Sequence, residues 1–225
     1  IVLINRDRLF FQQKYRVSAE KISVALPHDF VLNLEPFSPS NFNFDEPHVF
    51  YIEAGYSGLG WVFKSEKEYA EFIIQSTKAI SNLAGFFYMK IKPYPVQRFD
   101  QLSDLLRSSD IKVHDDMQSV ITRLATCQPL IISEPSTLTL YFMSLGYPII
   151  WNDVEPFVKD LYSDWMLTYP RSKLLSEFEV SCSSDVRALF AKDQAVNQWI
   201  EVNLHFKSRV GYKEAWAEAF DDNKI

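Results

Sequence analysis

Ser136 and Thr137 open a helical pattern directly behind the buried apolar run Leu130-Ile131-Ile132-Ser133. A helix N-terminus offers unpaired N–H groups and roughly half a positive charge, and Ser and Thr hydroxyls add donors there, a combination suited to phosphate. The same two residues also serve as plain helix caps, since Ser and Thr are favoured at that position. Lys92 closes another apolar run, where it could meet a diphosphate, with Pro93 and Pro95 stiffening the chain behind it; a solvated lysine at a strand end is the alternative. The loop Gly55-Tyr56-Ser57-Gly58-Leu59-Gly60 would let a ligand approach the backbone around Gly58, although its spacing fits neither the dinucleotide fingerprint nor the P-loop. His114, Asp115 and Asp116 could contact a ribose or base or carry acid/base chemistry, with helix capping by an aspartate as the simpler role. The four histidines, His28, His48, His114 and His205, are scattered and form no metal-ligand spacing, and no G-x-S-x-G nucleophile elbow occurs.

The elements that must position these residues alternate. Residues 49–53 read as a strand. Ser65 caps a helix over 66–83 with Tyr69, Phe72, Ile73 and Ile80 on one face, and Gly85 stops it. A buried strand over 86–92 follows, then a short helix over 99–107 with Leu102, Leu105 and Leu106 inward. Residues 111–113 read as a strand and 117–125 as a helix carrying Val120, Ile121 and Leu124. Residues 130–133 form the next strand. Leu138, Tyr141, Phe142 and Leu145 make a helical stripe closed by Gly146, and 148–151 is a further strand. Such alternation implies parallel strands with right-handed helical crossovers, so all strand-to-helix handovers share one edge, where ligands bind. Beyond Asn152 the pattern is helical and aromatic: Phe157, Leu161 and Trp165, then Val186, Leu189 and Phe190, then Trp199 and Ile200, with a last short helix carrying Trp216 and Phe220.

Residues 1–47 differ. Ile22-Ser23-Val24-Ala25-Leu26 is a short strand candidate, and Pro36, Ser38, Pro39, Ser40, Asn41 and Asn43 make a turn-rich stretch read as a linker. The chain opens without Met, inside what reads as a strand, as a fragment lacking an N-terminal part would. At 225 residues and 47% hydrophobic content it can bury a full core. A net charge of −6 with no Lys/Arg cluster argues against nucleic acid as the main partner. Cys127 and Cys182 make no disulfide framework in a chain this large, which points to a reducing compartment. With neither a signal-peptide pattern nor an apolar run of roughly 18 residues, the expected location is cytoplasmic, without a transmembrane segment.

With these residues in place, the chain resembles the C-terminal, donor-binding half of GT-B-fold glycosyltransferases, closest to bacterial enzymes that build surface polysaccharides. The likeness rests on Lys92-Pro93-Tyr94-Pro95, on Ile131-Ile132-Ser133-Glu134-Pro135-Ser136-Thr137, and on Gly146-Tyr147-Pro148-Ile149-Ile150. It implies an α/β fold: a Rossmann-like parallel sheet with flanking helices over 48–225, a helical C-terminal extension, and residues 1–47 as the tail of an N-terminal domain plus linker. By that resemblance Ser136, Thr137 and Lys92 would hold the phosphates of a nucleotide-sugar donor, the loop around Gly58 would face the interdomain cleft, Gly58 and Tyr94 would belong to the donor site, and His114, Asp115 and Tyr141 would contact ribose or base. The acceptor would be a glycan or lipid-linked, which leaves room for peripheral membrane contact. Neither cofactor nor metal is expected, because helix dipole and hydrogen bonds would stabilise the leaving diphosphate. The chain departs from the family at two positions: Tyr94 stands where the family has His, and Tyr141 where many relatives have a ribose-binding Glu. Tyr can donate one hydrogen bond but cannot accept from two hydroxyls as a carboxylate does. No catalytic base is assigned; Glu53, Asp115 and Asp116 are the acidic candidates on the edge. Three alternatives stand beside this reading: transfer of glycerol- or ribitol-phosphate from a CDP-linked donor, a nucleotide-sugar epimerase, and a non-catalytic Rossmann-like binding module that has lost donor-site residues.

Overall fold

The computed structural model describes residues 34–45, 47–53, 63–81, 86–90, 100–109, 124, 126–133, 137–152, 166–177 and 183–204, with Gln12, Gln13, Arg16 and Ser18. The chain divides into two compact units, one spanning Leu34–Asp193 and the other made of Ile1–Asn33 and Gln194–Ile225. The larger unit holds a five-stranded sheet in the order β2-β1-β3-β4-β5, formed by β1 (His48–Ile52), β2 (Phe86–Lys90), β3 (Leu130–Ser133), β4 (Ile149–Trp151) and β5 (Ser172–Leu174). Every pairing is parallel. The helices described in full beside it are α1 (Glu66–Ser81), α2 (Asp100–Ser108), α3 (Thr137–Ser144) and α4 (Ser183–Phe190). Another, α5 (Asp193–Asn203), buries Val196 and Trp199. The result is an α/β, Rossmann-like sheet with flanking helices and a helical C-terminal part, as the alternation implies.

The central strands are apolar on both faces, as parallel strands covered by helices must be. Residues 49–52, 130–133 and 149–151 are buried throughout, Ser133 being the one polar member. Truncating one of these side chains, as in Ile132→Ala, should cost about 2–5 kcal/mol through lost transfer energy and the cavity left behind. Parallel register partners share a face, so Ile52, Ser133, Trp151 and Leu174 form one row. The α3 helix covers that face, where the Phe142 ring meets Phe50 edge-on at 5.9 Å. Tyr51 and Glu53 belong to the opposite face, and α1 reaches it through Tyr69.

The α1 helix starts where its cap requires. The Glu68 amide donates to Ser65 Oγ at 3.2 Å, and Glu68 Oε2 accepts from the Lys64 amide at 2.6 Å, a capping-box arrangement displaced by one residue. Tyr69, Ala70, Ile73, Thr77 and Ile80 are its buried positions; it is described over Glu66–Ser81, and residues 82–85, where its expected end falls, lie outside the described residues. The α3 helix ends at Ser144, and Gly146 just beyond it takes a φ of 79°, the left-handed backbone that favours glycine.

Two expectations change. Leu105 is 38% exposed, so α2 turns Leu106 inward and leaves Leu105 at the surface. A fifth strand, Ser172–Leu174, lies within the region read as purely helical. The expected strands at 22–26 and 111–113 and the terminal helix with Trp216 and Phe220 lie outside the described residues, as does most of the helix over 117–125, of which Leu124 is buried.

Candidate functional site

The chain starts the sheet at β1, steps outward to β2, then returns to the other side of β1 with β3 and continues to β4 and β5. Strand order therefore reverses between β1 and β3. In open parallel sheets a crevice opens outside the strand C-termini at such a point, because the crossovers on either side diverge to opposite faces. The described crossover helices do so here, α1 meeting the Glu53 face and α3 the Ser133 face.

Each strand bordering the reversal ends in a buried polar group. Glu53, the residue after β1, is 2% exposed and accepts a hydrogen bond from the Tyr69 hydroxyl at 2.9 Å. A carboxyl group so deeply buried needs donors to hold it, and α1 supplies this one. Ser133, the last residue of β3, pairs through its hydroxyl with Thr139 Oγ1 at 2.5 Å, which fastens the first turn of α3 to the strand end. Asn152, just past β4, extends the ladder by donating its amide to Ser133 O at 3.0 Å. Its side-chain Nδ2 donates to the Tyr51 hydroxyl at 2.6 Å and so spans from β4 to β1 across the intervening strand. The ends of β1, β3 and β4 are thereby tied together by side chains that are all buried. Such a floor is rigid, and rigidity helps a site that must present charge or dipoles in fixed positions.

Above that floor α3 begins at Thr137, four positions after Ser133. A helix N-terminus carries about half a positive charge, and this one follows the C-terminal end of β3, so it can attract an anion there. Tyr141, one turn further on, is 6% exposed and its ring lies 6.0 Å from that of Phe142. Of the residues singled out from sequence, Thr137 and Tyr141 are thus brought together on α3. Lys92, Tyr94, Gly58, His114, Asp115 and Ser136 lie outside the described residues. The strands that precede Gly58, Lys92 and Ser136 are parallel neighbours whose C-terminal ends share one edge.

Sequence reasoning missed Ser133, Thr139, Asn152 and Tyr51, and took Glu53 only as one acidic candidate among several. A signal was present. Glu53, Ser133 and Asn152 are each the first polar residue to end an otherwise apolar run, where a buried strand reaches the ligand edge. Among the described residues, no group of His, Cys, Asp and Glu could hold a metal ion, and no helix is long and apolar enough to cross a membrane. No protein-family model matches the chain, and no curated protein is significantly similar to it.

Proposed function

We propose that this chain is the donor-binding half of a GT-B-type glycosyltransferase of surface polysaccharide assembly, working in the cytoplasm with a nucleotide sugar and without metal. The observation that supports the reading is the reversal of strand order between β1 and β3, with an eight-residue helix opening just past β3. In this reading the helix end at Ser136 and Thr137, together with Lys92, holds the diphosphate. The loop around Gly58 faces the interdomain cleft, Tyr94 flanks the phosphates, and His114 and Asp115 meet the ribose or base. The acceptor is a glycan or lipid-linked.

One observation favours a second reading, a non-catalytic binding module of the same fold. Tyr141 stands where the resembled family often carries a ribose-binding carboxylate, and it is a buried ring packed beside Phe142. A thermal-shift panel of UDP, GDP, CDP, CMP and dTDP separates the two. A ligand at 100 times its dissociation constant stabilises by about 2.7 kcal/mol. A response to one diphosphate supports a donor site, and preference for CDP would shift the proposal toward polyol-phosphate transfer. No response to any of the five at millimolar concentration would argue for the module without donor function.

A further inference from the structure

Residues 34–44, the first of the larger unit, are fastened to the rest of it through their own backbone. The Ser38 amide donates to Gln128 Oε1 at 2.6 Å, and Gln128 Nε2 donates back to Pro36 O at 3.2 Å. One side-chain amide thus reads a carbonyl and the amide two residues on. The Tyr147 hydroxyl donates to Glu35 O at 3.2 Å, and burial pushes that phenol's pKa up, so it stays a neutral donor. Phe37 is the anchor: its ring packs 5.0 Å from Phe190 and 5.5 Å from Tyr147, with the Arg171 guanidinium 5.1 Å from its centre. Gln128 itself is buried and holds a φ of 47°, a left-handed backbone that a non-glycine residue keeps only where its surroundings impose it.

The same contacts reach α3. An eight-residue helix is about 12 Å long and leaves half of its backbone groups without partners inside the helix. Its orientation therefore rests on outside partners. At its C-terminal end the Phe37 amide donates to Leu145 O at 2.8 Å, and Arg171 Nη1 donates to Gly146 O at 2.6 Å. At the other end the Thr139–Ser133 pair fastens the first turn to the ligand edge. The segment thus holds the far end of the helix whose near end faces the crevice.

We propose that residues 34–44 form a latch, clasped by Gln128, that positions α3 and so couples its own docking to nucleotide binding at the opposite end of the helix. The inference rests on the nucleotide reading given above and makes Gln128 a positioning residue remote from the ligand. Coupling is reciprocal: if the latch strengthens nucleotide binding, the nucleotide must tighten the latch by the same factor.

The test uses the whole chain, its Gln128→Ala, Gln128→Gly and Gln128→Glu variants, and whichever of UDP, GDP or CDP binds wild type most tightly. Gln128→Gly removes the clasp while accepting the left-handed backbone, so it serves if Gln128→Ala does not fold. The nucleotide should slow hydrogen exchange of the Phe37 and Ser38 amides in wild type. The Ala and Gly variants should free those amides, keep β1 and β3 protected, and bind nucleotide about fivefold or more weakly. Gln128→Glu, which retains the acceptor for Ser38, should recover part of that loss. Affinity within twofold of wild type in a variant whose latch amides exchange freely would overturn the coupling and leave the nucleotide site standing. So would latch amides that stay protected without Gln128. A wild-type chain that binds none of the three nucleotides would overturn the underlying reading and the coupling with it.

Discussion

Tyr69→Phe removes a single oxygen from the floor of the candidate site. The ring is fully buried, and its hydroxyl donates at 2.9 Å to Glu53, which is 2% exposed. Phe fills nearly the same volume, so cavity terms are small and the lost hydrogen bond dominates. A hydrogen bond to a charged group contributes about 1.5–3 kcal/mol, against about 0.5–1.5 kcal/mol for a neutral pair. For a domain of this size each kcal/mol moves Tm by about 2–4 °C, so the expected fall is about 3–12 °C. The same change made in a Glu53→Gln background should cost only the neutral value, which gives a coupling of about 1 kcal/mol between the two sites. Urea unfolding of the four proteins closes the cycle. A cost below about 0.5 kcal/mol for Tyr69→Phe, or an equal cost in both backgrounds, would refute the claim that Tyr69 serves a buried carboxylate.

Two further predictions concern the support of the site. Arg171 is 2% exposed and donates to Leu189 O, Gly146 O and Phe190 O as well as pairing with Asp193, whose side chain is 67% exposed. Arg171→Met should therefore cost about 3–5 kcal/mol in urea unfolding, whereas Asp193→Asn should cost less than about 1 kcal/mol, because an exposed carboxylate rejoins water; equal costs would place the energy in the ion pair and not in the carbonyls. Burial raises the Cys127 thiol from 9.0 to about 11, so the neutral thiol adds stability below pH 9 that is lost as pH rises through about 11. Mass-spectrometric mapping should find its alkylation at pH 8 on the order of 10–100-fold slower than in the unfolded chain, and equal rates would contradict the burial.

The strands legible in the sequence were those buried on both faces. Leu130–Ser133 and Ile149–Trp151 stand out as short apolar runs, and Ser65 announces α1 by cap chemistry that the backbone then uses. β5 was not legible because Ser-Lys-Leu carries no apolar run and its three residues are only half-buried at the sheet edge. Arg171 reads as a surface residue in sequence. Its burial depends on carbonyls at the ends of two helices, partners that leave no trace in hydrophobic patterning. The polar floor was half legible: position at the ends of apolar runs was visible, but the Asn152–Tyr51 bond joins residues 101 positions apart, and periodicity carries no such information. The turn-rich stretch 36–43 read as linker because Pro, Ser and Asn dominate it, while Phe37 and Phe42, both buried, supply the packing.

The central claim is that the edge above Glu53, Ser133 and Asn152 binds a nucleoside diphosphate at the start of α3. Isothermal titration of wild type and of Ser136→Ala/Thr137→Ala with UDP, GDP and CDP tests it most directly. If the two hydroxyls hold phosphate, each contributes about 1.5–3 kcal/mol, and affinity should fall about tenfold or more per donor while the folded state loses only about 1 kcal/mol of cap stabilisation. Unchanged affinity in a folded double variant, or no binding heat from wild type at millimolar nucleotide, would contradict it.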